Sequence, residues 1–121
     1  MEFIDFGTGA RGGDIGILFP GWKRGEAVAF LSPHDDDAAL GAGYLLRAVK
    51  TAGGRPVVLI FCKGDAGYSK IEEKRTIVAR RRREAFAAYA LLGVPDEDIV
   101  FFGRPDLSLM ADVNRISPAG R

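Results

Sequence analysis

The sequence predicts an α/β domain in which helices flank a parallel β-sheet. Three short apolar runs alternate with two longer segments whose apolar residues recur every three or four positions, giving the order strand–helix–strand–helix–strand. Glycines lie in the loops after the second and third runs, and such units build parallel sheets with right-handed crossovers. Because ligands bind at the carboxyl ends of the strands in such sheets, we expect the functional residues there.

Each predicted element follows from a local pattern. Residues 1–25 contain seven glycines and no sustained periodicity, so we expect an irregular N-terminal segment with a possible strand over 15–19, followed by the α/β unit over 26–121. Apolar runs predict strands over 27–31, 56–62 and 98–102, the first two buried on both faces. Helices are predicted over 38–51 and 69–92, where apolar residues recur every three or four positions. The glycines at 53–54 and 93 are typical of helix ends. A short helix is possible within 108–121.

Apolar stripes define the faces that the two helices are expected to bury. The stripe of the first helix consists of Leu40, Tyr44, Leu45 and Ala48. The stripe of the second consists of Ile71, Val78, Ala85, Tyr89 and Leu92, widened by Phe86 and Leu91. Packing of such stripes against a sheet supplies most of the stability of helices of this length.

Composition narrows the class of protein. A chain of 121 residues with a formal charge of +1 suits one globular domain and gives no support for nucleic-acid binding. The single Cys62 excludes an internal disulfide and fits a reducing compartment. Neither a membrane-spanning run of about 20 apolar residues nor a signal peptide is expected, so we predict a cytoplasmic location.

The segment 34–37, His-Asp-Asp-Asp, is the most informative part of the chain because it combines the only histidine with three carboxylates. Such a cluster is costly without a compensating cation. His34 and Asp37 are three residues apart, so both can face one ion; zinc suits them, as do iron, manganese and cobalt. Asp36 or Asp35 could then take a proton from water. Alternatively, the carboxylates cap the following helix.

Two further loops are expected at the same edge of the sheet. Lys63 and Asp65 follow the second strand, and Asp106 follows the third; each is a candidate for substrate contact or for an ordinary turn residue. On the long helix, Arg81 lies on the apolar side, where it needs a partner, either Glu84 or the rim of the site. Cys62 is expected to be a buried packing residue.

The segment 30–37 (Phe-Leu-Ser-Pro-His-Asp-Asp-Asp), followed by Leu-Gly-Ala-Gly at 40–43, resembles the His-x-Asp-Asp signature of the PIG-L/LmbE-like family of metal-dependent N-deacetylases. Three other segments resemble that family in the same order. Residues 59–67 resemble its second strand and Gly-acidic loop; 81–84 (Arg-Arg-Arg-Glu), before Leu-Gly-Val at 92–94, resemble its Arg-x-x-Glu helix; and 101–106 resemble its next strand end. The resemblance runs from about residue 28 to residue 106.

The resemblance implies a Rossmann-like fold and a hydrolase that removes an N-acetyl group from an amino-sugar-type small molecule through metal-activated water. It implies that His34 and Asp37 bind the metal, usually zinc, and that Asp36 is the general base. Asp35, Lys63, Asp65, Arg81, Glu84 and Asp106 are the remaining candidates for substrate contact or support of the site.

This chain departs from the family pattern in three ways. Asp35 stands where many members have proline, and Ala38 stands where they have glutamate. The family's third metal ligand is a downstream histidine, but no histidine follows His34. Two protein ligands rarely hold a catalytic zinc, so we expect an incomplete version of the fold and a poor catalyst. The alternatives are a metal- or sugar-binding remnant and a metal-dependent phosphoesterase. Exposed sheet edges would favour a homo-oligomer.

Overall fold

The computed structural model describes residues 1–108, and the short helix predicted toward the C-terminus lies outside them. The described chain begins with two short strands and continues with three longer strands that alternate with two α-helices. In chain order the elements are β1 (Phe3–Ile4), β2 (Arg11–Gly12), β3 (Ala27–Ser32), α1 (Asp37–Thr51), β4 (Arg55–Cys62), α2 (Ile77–Leu91) and β5 (Ile99–Arg104). Three 3₁₀ turns, at Ile15–Ile17, Ile71–Arg75 and Asp96–Asp98, lie between them.

The main sheet has the order β3-β4-β5, and both neighbouring pairs are parallel. The predicted α/β class with a parallel sheet is therefore confirmed. The pairing of β4 with β5 shifts register between Ile60 and Cys62, so that one extra residue of β5 lies opposite Phe61. Gly103 has φ +68° at this bulge, a conformation that favours glycine. Beyond the bulge, the Lys63 N–H donates to the Arg104 carbonyl at 2.9 Å, which joins the end of β5 to the loop that follows β4.

The core lies on one face of the sheet. Phe30, Val58 and Ile60 form it together with Leu46 of α1 and Tyr89 of α2. Alternate residues of β3 point the other way, and Leu31 is 67% exposed. The expectation of burial on both faces was therefore wrong for β3, and in β4 the second face is only half-buried, because α1 and α2 cover the same face of the sheet.

The predicted apolar stripe of α1 was only partly right. Leu40 and Tyr44 are 82% and 86% exposed, whereas Ala38, Leu46, Ala48 and Val49 are buried. The helix is thus rotated so that Leu46 and Val49, together with two alanines, face the sheet in place of Leu40 and Tyr44. These four buried positions also recur at helical spacing, so periodicity alone did not decide between the two faces.

The predicted helix over 69–92 is broken at Thr76. The Glu73 carbonyl accepts hydrogen bonds from both the backbone N–H (2.8 Å) and the hydroxyl (3.2 Å) of Thr76, which ends the 3₁₀ turn before α2 begins. Ile71 consequently lies 64% exposed outside the core, whereas Ile77, Ala85 and Tyr89 form the buried face of α2.

The N-terminal segment packs at the end of the sheet opposite the carboxyl edge. The possible strand over 15–19 is instead the 3₁₀ turn Ile15–Ile17, because the Asp14 carboxylate accepts the Gly16 N–H at 2.8 Å and caps a turn. The Trp22 indole covers Gly54, just before β4, and donates to the Ala52 carbonyl at 3.4 Å. Within residues 1–108, no helix is long and apolar enough to cross a bilayer.

Candidate active site

The turn that carries the His-Asp-Asp-Asp segment is fixed by Ser32, the last residue of β3. The buried Ser32 hydroxyl donates to the His34 carbonyl at 2.5 Å and accepts the Ala38 N–H at 3.0 Å. The Cys62 N–H donates to the Pro33 carbonyl at 2.8 Å, which ties the end of β4 to the same turn. Ser32 was not predicted as a site residue; its position at a strand end directly before Pro-His was the available signal.

The His34 imidazole lies between two carboxylates. Its Nδ1 atom is 3.4 Å from Asp37 Oδ2, and its Nε2 atom is 3.8 Å from Asp106 Oδ1. Asp37 Oδ2 also accepts the backbone N–H of His34 at 2.8 Å, which fixes that carboxylate. The two residues predicted as metal ligands, His34 and Asp37, therefore face each other at the carboxyl end of β3.

The Asp36 carboxylate is left accessible. Asp36 occupies the N-cap position of α1, but its side chain makes no capping hydrogen bond to the described backbone. The side chain is 58% exposed, and its Oδ1 atom lies 3.6 Å from Arg81 Nη2. Helix capping, the alternative interpretation of the three carboxylates, therefore does not account for Asp36.

Asp35 forms an ion pair with Arg81 of α2. Arg81 Nε donates to both carboxylate oxygens at 3.0 Å, and Nη2 donates to Oδ1. This hydrogen bonding raises the pKa of the Arg81 guanidinium. The guanidinium also packs on the loop after β4. A Cβ atom on Gly67 would lie 2.6 Å from Arg81 Nη1, and a Cβ atom on Gly64 would lie 2.9 Å from Arg81 Nε. Only glycine leaves room for it there.

Of the two partners expected for Arg81, the structure has the rim of the site and not Glu84. The Glu84 side chain is largely exposed, and its cationic neighbour among the described residues is Arg80, at 4.0 Å. The Arg81–Glu84 pair was therefore wrong. Residues three apart on a helix can pair, but Asp35 lies closer to the Arg81 side chain and satisfies it with both oxygens.

The loops after β4 and β5 hold each other through their aspartates. The Asp106 carboxylate accepts the N–H groups of Gly64 (3.0 Å) and Ala66 (2.8 Å), and the Asp106 N–H donates to Asp65 Oδ1 at 2.8 Å. That backbone hydrogen bond is the main cause that lowers the pKa of Asp65, assisted by Lys63 Nζ at 3.0 Å. Lys63, Asp65 and Asp106 are thus part of the loop structure, while Asp106 also faces His34.

Cys62 is buried at the end of β4, as expected of a packing residue, with 3% of its surface exposed. Burial raises the pKa of its thiol, and the nearby carboxylates of Asp106, Asp65 and Asp37 raise it further. Its sulfur also belongs to a cluster in which His34, Cys62 and Asp106 each offer one potential ligand atom, all within 4.8 Å of one another. Sequence reasoning placed the first and last of these at one edge but missed the sulfur.

Two neighbouring cavities open beside these groups. One of about 370 Å³ is lined by His34, Asp36, Arg81 and Asp106, among others. The second, of about 410 Å³, lies along α2 and is also lined by Asp36 and Arg81, together with apolar residues and Glu84. Asp36 and Arg81 therefore border both spaces, which is the position expected of groups that contact a small molecule.

Comparisons with known proteins agree with this architecture. A search of curated proteins gave no match. An N,N'-diacetylchitobiose deacetylase from Pyrococcus horikoshii is similar in structure, with a TM-score of 0.63 and 24% identity over 67% of this chain and 30% of that one. The 4-carboxy-2-hydroxymuconate hydratase GalB from Pseudomonas putida has a TM-score of 0.60 and 26% identity over 68% of this chain and 35% of that one.

The chain spans about a third of the length of these two proteins. The family profile described as PIG-L, GlcNAc-PI de-N-acetylase, matches residues 29–117, which is most of the chain and contains every candidate site residue named above. The chain therefore belongs to the PIG-L family.

Proposed function

We propose that this chain carries the base and the first metal-binding residues of a metal-dependent N-deacetylase that removes the acetyl group from an N-acetylated amino sugar. The family match and the structural similarity to a deacetylase of N,N'-diacetylchitobiose support a hydrolase of this type. The observation that carries the proposal is the accessible Asp36 carboxylate, which makes no capping hydrogen bond within residues 1–108 and lies beside the facing pair His34 and Asp37.

The residues present fit a divalent ion. An imidazole nitrogen and a carboxylate oxygen 3.4 Å apart are donors that zinc, iron, manganese and cobalt accept, and His34 and Asp37 are the ligands that the family motif implies. Such an ion, when bound, would act as a Lewis acid on the amide carbonyl and make a water molecule acidic near neutral pH.

The side chains of this chain would perform the proton transfers. Asp36 would accept a proton from the attacking water and return it to the leaving amine, because its carboxylate is exposed to the cavity that His34 and Asp106 line. Arg81 borders the same cavity and would bind polar groups of the substrate, while its contact with Asp35 keeps the guanidinium in place. Asp106 holds the loop that closes one side of that cavity.

The test is release of acetate from N-acetylglucosamine and N,N'-diacetylchitobiose by the purified chain supplied with zinc. We expect turnover that falls about 10²–10⁴-fold in Asp36→Asn, the usual loss on removing a general base. Asp96→Asn is the matched control, since Asp96 lies exposed in the 3₁₀ turn after α2 and outside the site. Equal rates in wild type and Asp36→Asn, or no acetate release by the folded wild-type chain, would contradict the proposal.

Hydration of a carbon–carbon double bond is the second candidate, because a 4-carboxy-2-hydroxymuconate hydratase has nearly the same structural similarity to the chain. A carboxylate base could activate water for either reaction, so the site alone does not distinguish the two. The substrate separates them: a hydratase would consume an unsaturated carboxylic acid, measured by loss of its ultraviolet absorption, and would release no acetate from N-acetylated sugars.

A further inference from the structure

The Arg81 guanidinium borders both cavities of the candidate site, but carboxylates of this chain match its charge. Arg81 Nε and Nη2 donate to the Asp35 carboxylate, and Asp36 Oδ1 lies 3.6 Å from Nη2. The side chains of Asp35 and Arg81 are 12% and 23% exposed, so solvent screens the pair only weakly. Two carboxylates therefore act on one guanidinium at the wall of the site.

This ion pair leaves Arg81 with hydrogen-bond donors for a ligand. A guanidinium carries five N–H groups, and the hydrogen bonds of Arg81 to residues 1–108 involve Nε and Nη2. The Nη1 atom packs on Gly67 and makes no hydrogen bond to this part of the chain. Arg81 can therefore donate to a hydroxyl or carbonyl oxygen, although Asp35 cancels its net attraction for an anion.

We propose that Asp35 is a specificity-determining residue, which makes the site select neutral substrates over anionic ones by cancelling the charge of Arg81. With an uncharged residue at position 35, the guanidinium would face the cavities with its full charge and would pair with a phosphate or carboxylate group. The inference rests on the proposed function for an N-acetylated sugar as substrate. It adds that this sugar carries no anionic group near Arg81.

The second cation that lines the larger cavity is matched in the same way. Arg80 Nη1 lies 3.3 Å from Glu73 Oε1, and Arg80 Nε lies 4.0 Å from Glu84 Oε1. The Asp36 carboxylate, in contrast, is 58% exposed. The described wall of the cavities therefore presents donors whose charges are compensated, together with one accessible carboxylate. Such a wall favours neutral polar groups and repels anions, which is how a site discriminates against a charged competitor.

Binding of sugars to Asp35→Asn tests the inference. Asparagine keeps an oxygen that can accept the Arg81 N–H, but it removes the negative charge. Ligand-detected nuclear magnetic resonance measures the dissociation constants of N-acetylglucosamine and of its phosphate monoesters at the anomeric and the primary hydroxyl group. A chelator is present, so that no metal ion binds the phosphate. We expect nearly unchanged affinity for the neutral sugar and about 10–100-fold tighter binding of at least one phosphate, the effect of a unit charge about 6–8 Å away at an effective dielectric constant of about 20–30.

Two further variants separate the effect of Arg81 from a general effect of charge. Asp96→Asn removes one negative charge from an exposed turn and should leave all the dissociation constants unchanged. Asp35→Asn combined with Arg81→Met should abolish the gain, because the cation that pairs with the phosphate is then absent. The inference is overturned by a gain that persists in this double variant, by no gain in Asp35→Asn that circular dichroism shows to be folded, or by equal affinity of the wild type for the neutral sugar and both phosphates.

Acetate release separates this inference from the proposed function. With zinc supplied, the ratio of kcat/KM for the neutral sugar to that for the phosphate should fall in Asp35→Asn, mainly through KM, since Arg81 contacts the bound substrate. Sugars that bind in the expected pattern without any acetate release would contradict the proposed function and leave the inference standing. Acetate release with the same preference in wild type and Asp35→Asn would overturn the inference alone.

Discussion

The ion pair between Asp35 and Arg81 should be the strongest single polar contact of the site. It joins the turn after β3 to α2, and the guanidinium rests on the two glycines of the loop after β4. Replacement of Asp35 by alanine removes both acceptor oxygens. The remaining ionic contact of Arg81 is then with Asp36, whose Oδ1 lies 3.6 Å from Arg81 Nη2. We expect Arg81 to move toward Asp36 and to occupy the base, so that stability and any hydrolytic activity both fall.

The burial of the pair sets the size of the stability loss. Breaking a fully buried ion pair costs about 3–5 kcal/mol, whereas a fully exposed pair contributes about 0–1 kcal/mol. The side chains of Asp35 and Arg81 are 12% and 23% exposed, close to the buried limit. The remaining contact with Asp36 recovers part of the loss, so we expect Asp35→Ala to lower the free energy of unfolding by about 2 kcal/mol.

Urea denaturation of Asp35→Ala, Arg81→Met and the double variant measures the coupling directly. We expect a coupling free energy of about 1.5–2 kcal/mol, since the two groups bond with both carboxylate oxygens. Arg81→Lys should lose most of that coupling, because an ammonium cannot reproduce the planar bidentate contact. Asp96→Asn is the exposed control. A coupling below about 0.5 kcal/mol would refute the reasoning, since it would place the pair among ordinary surface contacts.

Three further predictions concern stability. Tyr89→Phe should change the unfolding free energy by no more than about 1 kcal/mol, because the buried hydroxyl lies near the Ser32 side chain and the Ala39 backbone but makes no well-aligned hydrogen bond to them; a loss above that value contradicts this. The N–H of Asp106 lowers the pKa of Asp65, so the stabilisation relative to Asp65→Asn, measured by urea denaturation across pH, should hold above about pH 4 and disappear as pH falls through the lowered value; a constant difference contradicts this. Gly41→Ala, in open space on α1, should raise the melting temperature and stability by about 0.5–1 kcal/mol, whereas Gly54→Ala, where a Cβ would lie 2.4 Å from an indole carbon, should cost about 1–3 kcal/mol; equal effects contradict this.

The strands and their order could be predicted, because a short apolar run bounded by turn residues is compatible with few structures other than a buried strand. The predicted runs at 27–31, 56–62 and 98–102 differ from the observed strands by at most two residues at either end. Parallel order follows from the intervening helices, and it is sufficient to place His34 and Asp106 at one edge of the sheet. The short distance between them depends on the register shift and Gly103 at the end of β5, which no periodicity indicates.

The faces of the helices could not be predicted in the same way. The predicted stripe of α1 included Leu40 and Tyr44, yet these are exposed, whereas Leu46 and Val49 on another face of the helix are fully buried. The buried face depends on how closely a helix can approach its neighbours, which is a property of the assembled core. Glu73 and Thr76 likewise broke the second helix through a local side-chain hydrogen bond that a search for apolar stripes does not weigh.

Cys62 shows why a correct prediction of burial can still miss chemistry. Alternation along β4 puts Cys62 on the same face as Val58 and Ile60, and this face is buried, so a packing role follows directly. As the last residue of the strand, however, Cys62 lies at the carboxyl edge, where the buried face meets the turn that carries His34. The same period-of-two rule that predicts burial therefore also points its sulfur toward the histidine. A buried residue at the carboxyl end of a parallel strand belongs to the core and also borders the edge where ligands bind, which is the position of Cys62.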